Sequence, residues 1–148
     1  MPGNATPQFT KNGAVTAVRA TAANTSSEGD GTIGTTMFLV FTADATNGSF
    51  VEFVRWIPRA TAATSTTATV GRIYLSTQAS GATTSANTNL LAEITLPSVG
   101  ADNGAGAATW FDIPLGFRIP AGQTLLASMA AAPAANTSWG VMAIAGDY

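Results

Sequence analysis

Apolar runs of five to nine residues recur along the chain, set apart by stretches of Gly, Ser, Thr and Asn, and the apolar residues inside them are mainly β-branched or aromatic. That is the spacing of short strands separated by polar loops. Eight segments fit: 14–20, 36–42, 50–57, 69–76, 90–96, 109–113, 124–130 and 138–145. The best helical candidate, "ASMAAAPAAN", is broken by Pro133, which costs about 3 kcal/mol in a helix interior.

Strict alternation assigns faces within the strands. In "TVGRIYLS", Ile73 and Leu75 oppose Val70, Arg72 and Tyr74, and in "LLAEITL" Leu90, Ala92, Ile94 and Leu96 oppose Leu91, Glu93 and Thr95. "FVEFVRWI" differs in having large apolar groups on both faces, with Val51, Phe53 and Ile57 on one and Phe50, Val54 and Trp56 on the other. Such a strand is central, or is covered on its outer face by a partner.

Eight short strands with polar loops predict an all-β domain, a single two-sheet antiparallel sandwich of jelly-roll type, with an immunoglobulin-like sandwich as the alternative. At 148 residues the chain suits one domain with a core of its own, and no stretch resembles an interdomain linker. The predicted sandwich spans residues 14–148. Residues 1–13, with two prolines and Phe9 as the only large apolar group, read as an N-terminal arm that orders on something else.

The most motif-like stretch, "IPLGFRIPAG" at 113–122, contains Ile-Pro-x-Gly twice. Pro fixes φ and Gly tolerates a positive one, so both units are predicted as turns bracketing a short edge segment around Phe117. A phosphate loop is excluded, because five residues separate Gly116 from Gly122 and Gln123 stands where the lysine would be.

Charged residues make up 9% of the chain, against about a quarter in an ordinary domain, while the apolar share of 46% is ordinary. The surface is therefore built from Thr, Ser, Asn, Gly and Ala, with little repulsion to hold neighbours apart. With no His and no Cys, the usual general base, thiolate nucleophile, disulfides and commonest transition-metal ligands are missing, which restricts any enzyme to carboxylate or Ser/Lys chemistry. The expected reading is no enzyme and no cofactor. Six scattered cations (Lys11, Arg19, Arg55, Arg59, Arg72, Arg118) and a net charge of −2 argue against nucleic acid. The start, "MPGNATPQFTKNGAV", has neither a basic nor an apolar leader region, and no run approaches 18 apolar residues, so neither export nor a membrane is expected.

The remaining candidates have plainer explanations. Glu52, Glu93 and Asp112 could form a glycosidase pair only if two of them converged, and nothing local brings them together. "SEGDG" at 27–31 and "ADNGAG" at 101–106 are rich in oxygen but lack the alternating carboxylates of a calcium loop. Asn4, Asn24, Asn47 and Asn136 begin N-x-[ST] sequons that a Thr/Ser-rich chain generates by chance. Trp56, Trp110 and Trp139 could line a sugar platform, but their apolar contexts suggest the core or a subunit interface.

A Cys-free, Thr/Ala/Gly-rich chain of this length, read as one β-sandwich behind a polar arm, resembles the small virion surface proteins of tailed bacteriophages: capsid decoration (cement) proteins and fibre or spike modules. The resemblance is one of type across the whole chain, with no diagnostic motif. It implies a structural protein made in the host cytoplasm and carried on the virion surface, a homo-oligomer, often a trimer, bound to the major capsid protein or other virion subunits. The expected contact residues are Pro7, Phe9 and Lys11 of the arm, with Arg55, Trp56 and Arg59 around the two-faced strand. A carbohydrate-binding fibre or adhesin module is the alternative.

Overall fold

The computed structural model describes residues 12–60, 64–100 and 109–148. They form no helix and ten strands: β1 (Asn12–Ala20), β2 (Gly31–Thr32), β3 (Phe38–Thr42), β4 (Ser49–Arg59), β5 (Thr69–Ser76), β6 (Ala82–Thr83), β7 (Thr88–Leu96), β8 (Phe111–Ile119), β9 (Thr124–Met129) and β10 (Ser138–Asp147). Each of the eight runs read from the sequence overlaps one of the longer strands, although β8 continues to Ile119 where the run ended at 113. The two-residue pair β2–β6 is additional and lies in stretches read as loop.

The long strands make two antiparallel four-stranded sheets, ordered β1-β10-β4-β8 and β3-β9-β5-β7. Counting only these eight, the pairs are first with last, second with seventh, third with sixth and fourth with fifth. The chain is thus one long hairpin wound over itself, which is the jelly roll. The immunoglobulin alternative, with its different strand order, does not apply.

Between the sheets lies one core. It contains Val51, Val54 and Trp56 of β4, Val141, Ala143 and Trp139 of β10, and Ile73, Leu96, Leu125, Ala127 and Met129 of the opposite sheet. Phe111 meets the Trp139 ring edge-on at 5.9 Å. Gly71 of β5 leaves space for the Trp56 indole and Leu96. Along one side β1 leans on β3, where the Thr16 hydroxyl donates to the Val40 carbonyl at 2.5 Å.

Two bulges change the faces expected from strict alternation. On β4, Val51 pairs with Ala145 and Phe117, while Phe53 pairs with Ile144 and Pro114, so Glu52 is skipped in both ladders. The phase inverts there. Val51 shares the core with Val54 and Trp56, and Phe53 and Ile57 turn outward, contrary to the assignment of Val51 with Phe53 and Ile57. On β7 the ladder steps from Ala92 to Leu90 opposite Ile73 and Tyr74, which leaves Leu91 over. Leu90 is 41% exposed instead of joining Ala92, Ile94 and Leu96.

The repeated Ile-Pro-x-Gly is one turn and not two. Ile113–Gly116 lies inside β8, where Leu115 and Gly116 stand opposite the single residue Glu52 and Gly116 takes φ of 63°. Pro114 is tolerated because β8 is an edge strand with no neighbour on its other side. The second unit turns the chain from β8 into β9. There the Gln123 N–H donates to the Pro120 carbonyl at 3.2 Å, with Gly122 at φ 72° in the third place.

The outer faces of the two sheets differ. Over β3-β9-β5-β7 the segment 21–37 folds back as a flap, and Met37 packs with Tyr74 and Leu126 into a second small core joined by Ile33 and Leu39. Polar contacts fasten it: the Asn24 N–H donates to the Met129 carbonyl at 2.6 Å, and Arg72 Nη1 to the Asn24 carbonyl at 3.1 Å. All six residues of β9 are therefore buried.

Candidate interaction surface

The outer face of β1-β10-β4-β8 carries no such cover from the described residues. Its side chains follow from the register. Arg19, Gly140 and Ile57 form one row, Ala17, Met142, Arg55 and Asp112 the next, and Val15, Ile144, Phe53 and Pro114 the third. The third row is apolar across all four strands. Val15 is 65% exposed, and none of Val15, Phe53, Ile57, Met142 and Ile144 packs against the core. These residues exist as an outward set because the Glu52 bulge rotates Phe53 and Ile57 out of the interior.

At the β8 edge the stripe ends in a charged and aromatic cluster. The Arg55 guanidinium lies 5.1 Å from the Phe53 ring centre and 5.0 Å from that of Trp110, and it donates to both carboxylate oxygens of Asp112 at 2.7 and 2.8 Å. The Arg55 hydrogen bonds hold the Asp112 carboxyl below its ordinary value, outweighing the opposing effect of burial. A general acid needs the reverse. Glu93 pairs with Arg72 at 2.7 Å on the other sheet's outer face, so it does not converge with Asp112.

At the opposite end, near β1, a shallow groove of about 260 Å³ is lined by Ala17, Arg19, Ile57, Arg59, Gly140 and Met142, among others. Its floor is Gly140, over which the Arg59 side chain lies with its Nε 3.6 Å from where a Cβ would be. Neither Arg19 nor Arg59 has an ion-pair partner among the described residues, whose two salt bridges are Arg55–Asp112 and Arg72–Glu93.

Of the expected contact residues, the structure brings Arg55 and Arg59 to this face or its rim. Trp56 is a correction: it is fully buried between the sheets, on the inner face of β4 with Val54, and the bulge brings Val51 into the same phase. Pro7, Phe9 and Lys11 lie outside the described residues. Asn12 and Gly13, assigned to the arm, belong to β1 and pair with Asp147 and Gly146. Trp110 is likewise not a core or apolar-strand residue; it precedes β8 and is 54% exposed. Val15, Met142 and Ile144 were not singled out from the sequence, since each is an ordinary strand residue until the ladder aligns them.

The other candidates are placed as follows. Asp30 accepts from the Ser85 N–H at 3.1 Å, a loop contact, and no three acidic residues converge among the described residues. "ADNGAG" at 101–106 lies outside the described residues, as does Asn4. Asn24 is buried with its amide donating to the Asp30 carbonyl at 2.8 Å, which removes it as a glycosylation acceptor. Comparison of the chain with protein-family models, with curated protein sequences and with solved structures returned no match.

Proposed function

We propose that this chain is a non-enzymatic structural module that works by docking into an assembly, and specifically a decoration (cement) protein on the outer shell of a tailed-bacteriophage virion. The observation that supports this reading best is the inequality of the two sheet faces. Seventeen residues (21–37) cover one face, and the described residues leave uncovered the other, which has an apolar row across four strands. A bare apolar sheet face on a weakly charged protein is suited to non-covalent stapling, in which buried apolar area contributes about 25 cal/mol per Å². Many copies on one particle would turn modest contacts into avidity against internal pressure. In this reading the arm, with Pro7, Phe9 and Lys11, reaches a neighbouring shell subunit.

Immunogold imaging of purified phage particles with an antibody to this chain tests the reading. Regularly spaced surface label on capsids is expected. Label on tail fibres alone, or particles that lack the chain, would overturn it. The carbohydrate-binding alternative draws on Trp110, exposed beside the Arg55–Asp112 pair. It lacks a second exposed tryptophan, since Trp56 and Trp139 are buried. Binding of the purified protein to a glycan array would favour it.

A further inference from the structure

We infer that the bare face of the β1-β10-β4-β8 sheet pairs with the same face of a second copy, about a two-fold axis lying in the plane between them and crossing the strands near Met142. The inference rests on the docking role given to this face above and names its occupant.

Shape is the first reason. The bare face is a four-stranded twisted sheet, and what packs flat on such a sheet is another sheet of the same twist, about 10 Å away, as inside the sandwich itself. A copy of the same sheet has that twist by construction. Four strands about 4.8 Å apart and nine residues at about 3.3 Å each give a face of roughly 600 Å², so a pair buries on the order of 1,200 Å², within the range of stable specific interfaces.

Charge is the second. The face is polar along the strands. Arg19 and Arg59 stand at one end without ion-pair partners among the described residues, and the other end carries Glu52 and Asp147 beside Arg118, so it is the less positive of the two. The Arg55–Asp112 pair between them is internally neutralised. A two-fold axis across the strands exchanges the ends, laying the Arg19/Arg59 end of each copy toward the Glu52 end of the other, and it sets the Val15-Ile144-Phe53 row over the partner's Arg19-Gly140-Ile57 row with the Ala17-Met142 row over its own copy. An axis along the strands would instead bring the two Arg19/Arg59 ends together.

A glycan fits less well, because the apolar row offers it no donors or acceptors. An added peptide strand would use a sheet edge, and at the β8 edge Pro114 and the Gly116 bulge obstruct pairing.

The experiment is analytical ultracentrifugation of the purified protein over a wide concentration range. A monomer–dimer equilibrium is expected. Ile144→Arg should weaken it about tenfold or more while circular dichroism shows the β-fold retained, whereas Leu90→Arg, on the other sheet, should not. Arg59→Glu and Glu52→Arg should each weaken the dimer, and the double variant should recover it in part. Because the chain has no cysteine, Met142→Cys should be captured as a covalent dimer by a bismaleimide that spans the gap of about 10 Å between the sheets, with the native sedimentation coefficient of the pair. A monomer at every concentration, a trimer, or a dimer indifferent to Ile144→Arg would overturn the pairing. The outcome is separate from that of particle imaging: monomers found on capsids refute the pair alone, and dimers absent from virions refute the virion role alone.

Discussion

Gly71 faces the indole of Trp56 across the sandwich with no space for a methyl group between them. A Cβ at Gly71 would fall 2.9 Å from Trp56 Cε2 and 2.8 Å from Leu96 Cδ1, and both side chains are fully buried. The glycine is a packing requirement, with no demand from φ. Gly71→Ala should therefore destabilise the fold by about 1–3 kcal/mol through overpacking, read as a lower urea midpoint with an unchanged slope. A variant as stable as the parent would mean that the sheets separate freely at this point.

The three tryptophans should report their different positions. Trp110 is 54% exposed, and Trp56 and Trp139 are fully buried. Iodide or acrylamide should quench only part of the native fluorescence, and Trp110→Phe should abolish the quenchable fraction without altering the thermal midpoint appreciably. Introducing a charge with Trp56→Asp should unfold the domain and not merely dissociate an oligomer, since a buried unpaired carboxylate has no compensating partner there.

The flap should contribute to global stability despite its loop-like composition. Met37 is fully buried against Tyr74 and Leu126, so Met37→Ala should cost about 2–5 kcal/mol, as for other large-to-small core changes. Hydrogen exchange at the Asn24 amide, which is bonded to the Met129 carbonyl at 2.6 Å, should quicken in that variant more than exchange in β10. Equal acceleration everywhere would show that the flap opens only with the whole domain.

The Arg55–Asp112 pair sets a pH dependence of definite sign. The hydrogen bonds from Arg55 depress the Asp112 carboxyl in the folded state, so whatever stability the pair contributes is present above the ordinary carboxylate value and is lost as pH falls through the lower, folded one. An NMR titration of Asp112 should give a midpoint below the ordinary aspartate value, returning upward in Arg55→Gln. The guanidinium is surface-exposed, so the effect on overall stability should be small.

What could be read in the sequence follows from the range of each interaction. The eight strands were legible because alternation of apolar and polar residues is local, and Thr69–Ser76 coincides with its predicted limits. The bulges were not. Glu52 and Leu91 are unremarkable residues inside regular patterns, and the extra residue exists only relative to partner strands that are distant in the chain. The inward turn of Val51, away from Phe53 and Ile57, was missed for that reason, and the outward row with it. The flap escaped notice because Asn24, Ile33 and Met37 are isolated within "TAANTSSEGDGTIGTTM", and their burial depends on Tyr74 and Leu126. Pro114 read as a corner because local turn chemistry is the same whether or not an edge strand with a bulge is available to receive it.

The nesting of first strand with last has a consequence for timing. The row Val15-Ile144-Phe53-Pro114 takes one residue from each of β1, β10, β4 and β8, so it cannot be assembled until Ile144 has been synthesised and β10 has inserted between β1 and β4. A chain stalled before that point has β1 on one side and the β4–β8 pair on the other, with nothing to join them into one face. In the proposed pairing, recruitment into the assembly therefore proofreads folding: only a chain that has closed its longest-range contact has anything to offer a partner.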